Sequence, residues 1–433
     1  MCQTLFNIPN DLIWGLPVFG VGWLFVLWCL LGVALTVWLV RGQGWNADTR
    51  GQLVMFVLSG LAICFLPPRM HLLADGGMPI RGYGVMLLVA VTSAVALSVR
   101  RARQMGQDPE LIFSAGTWLF VAGIAGARLF YVIEYWDRFQ KPTLGETIEA
   151  ILNVAQGGLV VYGSLLGGGL ALFLFVRRHH LPWLAMCDLV VPGLILGMAL
   201  GRLGCFLNGC CYGGASDLPW AVTFPWNTPP FIAQVQNGTR SLHGLSFGPS
   251  GDQPQPPIIA AVDPDSEAAR HGLKAGDRVR SINDVPVRTV DEAEMTLLGI
   301  DNHTPDMTVS IRVAGDSQAH AWTVTGPLPR SRPVHPAQLY SAIDGLLLCG
   351  FLLAYSPFRR RDGELFAILL TVHPVSRFLL ESIRSDEGLV LKTRMTISQN
   401  ISVLLLVAGV LLWVYLLLKP AKLAWHRQPA AAG

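Results

Sequence analysis

Charge is what this sequence has least of. Only 14% of its 433 residues are Asp, Glu, Lys or Arg, against about a quarter in soluble domains. With 52% apolar residues, that deficit points to the membrane wherever apolar runs are long enough to span one. The formal net charge is only +3, and Lys and Arg sit in loops, so the basic face a nucleic-acid binder needs is missing. Cysteine is sparse too. Eight scattered residues cannot make a disulfide scaffold, and Cys29, Cys64, Cys187 and Cys349 lie inside apolar runs as small buried hydrophobes. No basic stretch precedes the apolar run at 19–40 and no small-residue cleavage site follows it, so no secretory signal of the usual form is expected. There is no His-Glu-x-x-His, and Ser164 lacks a convincing histidine partner, which speaks against a membrane protease.

Long apolar runs are what is there. They fall near 19–40, 53–67, 84–99, 111–133, 157–176, 182–204, 337–355, 364–383 and 399–418. The shortest, 53–67, is well under the twenty or so residues a span usually needs. These runs predict an all-α polytopic membrane helix bundle of about nine transmembrane helices. Basic clusters at Arg100, Arg101 and Arg103, at Arg177 and Arg178, at Arg359, Arg360 and Arg361, and at Lys419 and Lys422 then share one side. The positive-inside rule makes that side cytoplasmic. A bacterial inner-membrane protein is expected, with its N-terminus and residues 205–336 periplasmic and its C-terminus cytoplasmic.

The expected organisation is an N-terminal extension with two added spans (1–75), a first part of a membrane core (76–213), an irregular periplasmic connection (214–256), a small α/β module (257–327), and the rest of the core with a tail (328–433). The module's run IIAAVDPDSEAARHGLKAGDRVRSINDVPV has strand-like alternation, a short helix at Ser266–His271, Gly-containing turns and a strand at Arg278–Ile282. It resembles a bacterial PDZ domain. Such domains bind an extended peptide end along a sheet edge. Here Gln253–Pro257 replaces the glycine-rich carboxylate loop with prolines, which lack the N–H donors of an anion nest. Capture of a peptide or protein partner and a spacer or docking role both stay open.

A charge near the bilayer centre is costly, so polar residues in apolar helices usually face a cavity and work there. Arg81 and Tyr83 open one span, Arg128 lies in the next with Tyr131 behind it, and Tyr162 lies near the outer end of a third. Arg202 closes the 182–204 span, His335, Gln338 and Tyr340 open the 337–355 span, and Arg377 and Glu381 sit one turn apart in the 364–383 span. Under the orientation above nearly all fall toward the outer leaflet. Guanidinium forks bind phosphate oxygens in pairs and stay charged, which suits an anionic lipid headgroup. The plainer alternative is that each arginine snorkels to the interface or, like Arg377 with Glu381, makes a structural ion pair.

Six segments together resemble the prolipoprotein diacylglyceryl transferases. RGYG (81–84) is similar to that family's Arg-Trp-Tyr-Gly, GARLFY (126–131) to its Gly-Ala-Arg-Leu-x-Tyr, and QGGLVVYGS (156–164) to its Gln-Gly-Gly-x-x-x-His-Gly-Gly. GRLGCFLNGCCYG (201–213) resembles its signature Gly-Arg-x-Gly-Asn-Phe-x-Asn-Gly-Glu-x-x-Gly. HPAQLY (335–340) matches His-Pro-x-Gln-Leu-Tyr, and HPVSRFLLESIR (373–384) resembles Tyr-Gly-x-x-Arg-Phe-x-x-Glu-x-x-Arg. The resemblance implies transfer of a diacylglyceryl group from phosphatidylglycerol, or another anionic phospholipid, to a cysteine of an exported lipoprotein precursor, with no cofactor. It implies that Arg202 and Arg377 bind the phosphate and stabilise the departing glycerol phosphate. Tyr83, Asn208, Glu381 and Gln156 shape the headgroup site, and Arg81, Arg128, His335, Gln338 and Tyr340 are counted with them.

The departures fall at the chemical step. The family histidine is Tyr162, the family asparagine and glutamate are Cys205 and Cys210, and the family tyrosine is His373. Tyrosine, with pKa about 10, is a poor base at neutral pH. His373, four residues before Arg377, is the candidate replacement base. The alternative is a silent paralogue that binds anionic lipid and holds a partner through its module. For Cys205, Cys210 and Cys211 a disulfide is the first expectation, because the outer compartment is oxidising. Free thiols in covalent catalysis, inert packing and, least of all, a metal site remain beside it, since the spacing is no zinc pattern and no histidine is near in sequence.

Overall fold

The computed structural model describes residues 3–9, 12–19, 22–43, 53, 56, 57, 59, 60, 63, 77–153, 158, 160–248, 257–300, 307–316, 318–384 and 395–425, with backbone alone at Pro9, Leu39, Gly42, Gln43, Gly77, Val161 and Tyr162. The expected span at 53–67, residues Gln253–Pro256 and Gln156 lie largely or wholly outside these. The chain divides into two compact units, one of residues 2–85, 98–186 and 426–433, the other of residues 86–97 and 187–425 together with Met1.

In the first unit, β1 (Thr4–Pro9) pairs antiparallel with β2 (Gly77–Arg81), Thr4 opposite Arg81. Apolar helix α1 (Trp23–Gln43) follows β1, and β2 leads into α2 (Gly82–Gln104), whose middle belongs to the second unit. Helices α3 (Glu110–Glu134) and α5 (Val161–Arg178) pack through glycines: a Cβ on Gly126 would overlap the Gly163 carbonyl oxygen, and one on Gly163 would overlap that of Gly126. Small residues are how apolar helices approach closely when lipid offers no competing driving force. Between them lies α4 (Leu144–Leu152), started by the Thr143 hydroxyl accepting from the Glu146 amide.

The second unit contains α6 (Trp183–Asn208), α9 (Ala337–Tyr355), α10 (Glu364–Glu381) and α11 (Ile397–Leu418). Glycines again set the crossings. Gly345 of α9 faces Ala199 of α6, Gly409 of α11 faces the Leu370 backbone of α10, and Gly197 of α6 faces Ala94 of α2. Val191, Ile195, Leu348, Leu352, Leu365 and Ile368 fill the interior. The outside is apolar as well, with Leu347 70% and Leu404 69% exposed, the pattern of helices solvated by lipid. Among the described residues five helices are long and apolar enough to cross a membrane: Gly82–Gln104, Glu110–Glu134, Trp183–Asn208, Ala337–Phe358 and Ile397–Leu418. The expected runs near 19–40, 157–176 and 364–383 also fall on helices, α1, α5 and α10, outside that set.

Between α6 and α9 the chain builds a small α/β module. Strands β5 (Val279–Ile282), β6 (Val285–Pro286), β7 (Thr308–Val313) and β8 (His320–Thr323) form one antiparallel sheet in the order β8-β7-β5-β6. Strands β3 (Leu245–Phe247) and β4 (Ile259–Val262) form a second pair. Helix α8 (Val290–Leu298) is capped by Thr289, and a single turn at Glu267–Arg270 by Ser266. The stretch 214–256, expected to be irregular, contributes α7 (Pro229–Gln236) and β3. Phe231, Leu242 and Leu245 are buried in one core with Ile282, Leu297 and Ile311, and Trp226 Nε1 donates to the Leu298 carbonyl at 2.9 Å. A three-residue strand and an eight-residue helix opening on Pro-Pro are too short to produce a visible apolar period.

Candidate functional site

One end of the second unit's bundle gathers the C-terminal turns of α6 and α10 and the N-terminal turns of α9 and α11. Backbone bonds tie this end together: Gly213 N–H donates to His335 O at 2.9 Å, His335 N–H to Gly214 O at 2.9 Å, and Gly214 N–H to Ile383 O at 2.9 Å. Gly213 is required there, because a Cβ would press on the His335 side chain at 2.6 Å.

Beneath this ladder is a narrow cleft of about 20 Å³, lined by Ile195, Met198, Ala199 and Arg202 of α6, Ser341, Asp344 and Gly345 of α9, and His373, Arg377 and Leu380 of α10. Arg202 and Arg377 therefore converge. Arg202 makes no hydrogen bond or ion pair among the described residues. Arg377 ion-pairs with Glu381 and donates from Nη2 to Ser398 Oγ of α11 at 2.9 Å. Glu381 is 2% exposed and receives a second cation, Arg384 Nη1, at 3.3 Å. His373 Nδ1 is buried with no hydrogen-bond partner among the described residues. Asp344 holds Ser376 Oγ at 2.8 Å and, with Arg377 and Arg202, lies close enough to act on His373 electrostatically. Arg202, Arg377 and Asp344 thus line the cleft, with Glu381 and Arg384 paired behind Arg377.

His335, Gln338 and Tyr340 lie beside the cleft. Tyr340 accepts from Trp220 Nε1 at 2.8 Å and is 3.4 Å from His335 Nδ1. Gln338 is fully buried. Its Nε2 donates to Cys210 O at 2.7 Å, and its Oε1 is buried with no partner among the described residues. Cys205, Cys210 and Cys211 are three free thiols, half-buried, whose sulfurs lie within 4.8 Å of one another; the disulfide expected among them is not formed in this structure. Hydrogen bonds from Cys205 and Cys210, and then the charges of Arg202 and Arg384, favour the thiolate at Cys211. Asn208 touches Cys210.

The remaining expected residues belong to the first unit. Arg81 ends β2 and is exposed, and Tyr83 is 40% exposed in the first turn of α2. Arg128 is 9% exposed and its donors are spent on backbone: Nε to Ile151 O at 2.8 Å, Nη2 to Ala150 O at 2.8 Å and Asn153 O at 2.9 Å, Nη1 to Gly158 O at 3.1 Å. It closes the C-terminus of α4, whose last carbonyls have no helical partner, and packs on Tyr131 and Phe139. Tyr162 is in the first turn of α5. Sequence reasoning passed over Asp344, Arg384 and Ser398. Asp344 carried a usable signal: a carboxylate in the apolar run AIDGLLL meets the same test that selected Arg377.

An apolar bundle with charged groups drawn inward to a cleft at one end is the architecture of a multi-pass membrane protein. A family profile described as prolipoprotein diacylglyceryl transferase matches residues 70–415. A Rhodopirellula baltica protein named phosphatidylglycerol–prolipoprotein diacylglyceryl transferase is 31% identical over 94% of this chain and 88% of its own length. Proteins of the same name are 37% identical in Synechococcus elongatus, over 42% of this chain and 61% of their own, and 25% identical in Clostridium tetani, over 77% and 92%. The chain belongs to the prolipoprotein diacylglyceryl transferase family.

Proposed function

We propose that this protein transfers the diacylglyceryl group of phosphatidylglycerol to a cysteine thiol of an exported lipoprotein precursor, and that the α6–α9–α10 cleft is where it does so. The observation that carries the reading is the convergence of Arg202, Arg377 and His373 on one cavity. Arg202 and Arg377 hold the phosphate of the lipid. His373, with its unpartnered Nδ1 and Asp344 beside it, takes the proton of the acceptor thiol, since only the thiolate is a useful nucleophile. The sulfur attacks the glycerol carbon that carries the phosphate ester. An S–C bond forms, the C–O bond breaks, and glycerol phosphate leaves with the electron pair on an oxygen that the guanidiniums stabilise. Glu381, between Arg377 and Arg384, fixes the forks, and Asn208, His335, Gln338 and Tyr340 shape the mouth. In the first unit Arg128 holds the end of α4 in place.

The cleft opens at the outer face of the bacterial inner membrane. Arg359, Arg360, Arg361, Lys419 and Lys422 stand at the opposite ends of α9, α10 and α11, which the positive-inside rule assigns to the cytoplasm with the C-terminus. The α/β module and the N-terminus are then periplasmic. The module is PDZ-like, an insertion between the halves of a core of about nine spans, and serves either to capture a peptide or protein partner or as a spacer or docking element.

Replacement of the family histidine, asparagine and glutamate by Tyr162, Cys205 and Cys210 supports a second reading, a silent paralogue that binds anionic lipid. Expression in cells depleted of their resident transferase separates the two. Lipidation of a lipobox reporter that disappears with Arg202→Ala supports the transferase. Absence of rescue by a chain that is inserted and still binds phosphatidylglycerol overturns it.

A further inference from the structure

The cysteine trio has a geometry its spacing hides. Cys205 lies in the last turn of α6, and Gly209 (φ +83°) and Cys211 (φ +59°) both turn the backbone left-handed immediately after it. Left-handed geometry is cheap for glycine and strained for cysteine. The double turn folds Cys210 and Cys211 back over Cys205, so that all three sulfurs lie within 4.8 Å of one another. The Cys210 carbonyl is locked by buried Gln338, and Cys210 Sγ points at the Cys205 carbonyl at 3.7 Å. Inert packing has no need of a strained cysteine, and a disulfide would use two sulfurs and leave the third stranded.

We propose that Cys205, Cys210 and Cys211 form a three-thiolate site for one thiophilic closed-shell cation, Zn2+ or Cu+. A zinc–sulfur distance of about 2.3 Å in tetrahedral geometry puts thiolates about 3.8 Å apart, inside the observed spread. Soft thiolates select these metals over hard cations. With Zn2+ the three thiols release their protons, giving a centre of net charge −1 with a fourth position for water on its half-exposed side. Arg202 and Arg384, both near Cys211, offset that charge. The bound ion clamps the last turn of α6 to the following loop and so fixes Arg202, one turn before Cys205. The proposal stands on its own geometry and is independent of the transfer reaction.

The test uses the full chain, purified in detergent under anaerobic reducing conditions, stripped with a chelator, and titrated with Zn2+ and separately with Cu+ against a chromophoric competitor for each. One equivalent of one of these ions is expected to bind, and to shield three thiols from alkylation. Co2+ in its place produces thiolate-to-metal charge-transfer absorption in the near ultraviolet. Cys205→Ser, Cys210→Ser and Cys211→Ser each weaken binding about 100-fold or more, as loss of a direct ligand exceeds the 10–100-fold cost of outer-shell changes. Cys187→Ser and Cys349→Ser, buried elsewhere, leave it unchanged. Failure of the wild-type chain to retain either ion against the competitor overturns the proposal. So does equal binding by the three cluster variants, or a disulfide joining two of these cysteines in protein isolated without reductant.

Discussion

The two ends of the α6–α9–α10–α11 bundle use buried charge in opposite ways. At the end away from the cleft, Asp188 is fully buried and Arg359 is 7% exposed. Asp188 Oδ2 accepts from Arg359 at 3.4 Å and from the Gly363 amide at 2.8 Å, and Oδ1 accepts from the Phe366 amide at 3.0 Å. Arg359 Nη2 donates to Trp425 O at 2.9 Å. This end closes the α9–α10 turn around a paired Asp188 and Arg359, with Asp362 Oδ1 the atom left buried without a hydrogen-bond partner there among the described residues. At the cleft end Arg202 is unpaired among the described residues and His373 Nδ1 and Gln338 Oε1 are buried without partners. A buried polar atom without a partner costs about 1–3 kcal/mol, and of these two groups His373 lines the cleft, where a ligand can supply the partner. A buried charge by itself therefore says nothing about function; whether its partners are already in the protein does.

Removing charge from each end separates the two uses. Asp188→Ala strands Arg359 and two amides, and breaking a buried pair costs about 3–5 kcal/mol. The expected result is a sharp loss of heat resistance in detergent, with transfer per surviving folded molecule within about twofold of wild type because no group of the cleft is touched. Retained stability with lost turnover would merge the two ends into one system. Arg202→Ala removes a donor aimed at developing charge, and single donors of that kind are worth about 100–1,000-fold in rate. Lipidation of a reporter peptide should fall by that factor with heat resistance unchanged or raised, and Arg202→Lys should recover only part of it because the planar fork is lost. His373→Ala should lower the rate about 100-fold at neutral pH, the lower end of general-base contributions. That loss should shrink as pH rises toward the ordinary cysteine range, where the acceptor thiol ionises unaided. A pH-independent defect would make His373 a packing residue like those at the other end.

The sequence made the bundle legible where runs were long, because about twenty apolar residues in a row leave few alternatives to a spanning helix. It also pointed to Arg202, Arg377 and Glu381, since an ionisable group in such a run is costly enough to need a reason, and to His373 through the family motif; the structure brings Arg202, Arg377 and His373 to one cleft. Arg128 met the same criterion, and the structure gives it three backbone carbonyls at the end of α4 and a fourth from Gly158. Only coordinates tell a satisfied arginine from an unsatisfied one, since the partners are 22 to 30 residues away. The cysteine cluster was visible as a count and invisible as a shape, because its convergence depends on the left-handed turns at Gly209 and Cys211. The α7–β3 part of the module was hidden by its short elements, which are held by tertiary burial of Phe231, Leu242 and Leu245 and not by any local period.

The smallest change sits between the two ends. Gly345 of α9 faces α6 on the cleft wall, and a Cβ there would stand 2.9 Å from the Ala199 Cβ and 3.4 Å from its Cα. Its nearest neighbour belongs to a helix side chain of one methyl, which cannot swing away, so α9 and α6 must part by a few tenths of an ångström. Overpacking of this kind costs about 1–3 kcal/mol. Gly345→Ala should therefore lower heat resistance modestly, well short of Asp188→Ala. Gly345 follows Asp344 and lies opposite the turn that leads to Arg202, so the same shift should also separate the carboxylate from the guanidinium. Turnover of the folded fraction should fall several-fold, with the larger part in kcat, because catalytic placement suffers more than headgroup binding from a displacement this small. A loss of stability with wild-type turnover would mean that the cleft tolerates spreading, and that its separation from the Asp188 end is less sharp than the pattern of unpaired donors implies.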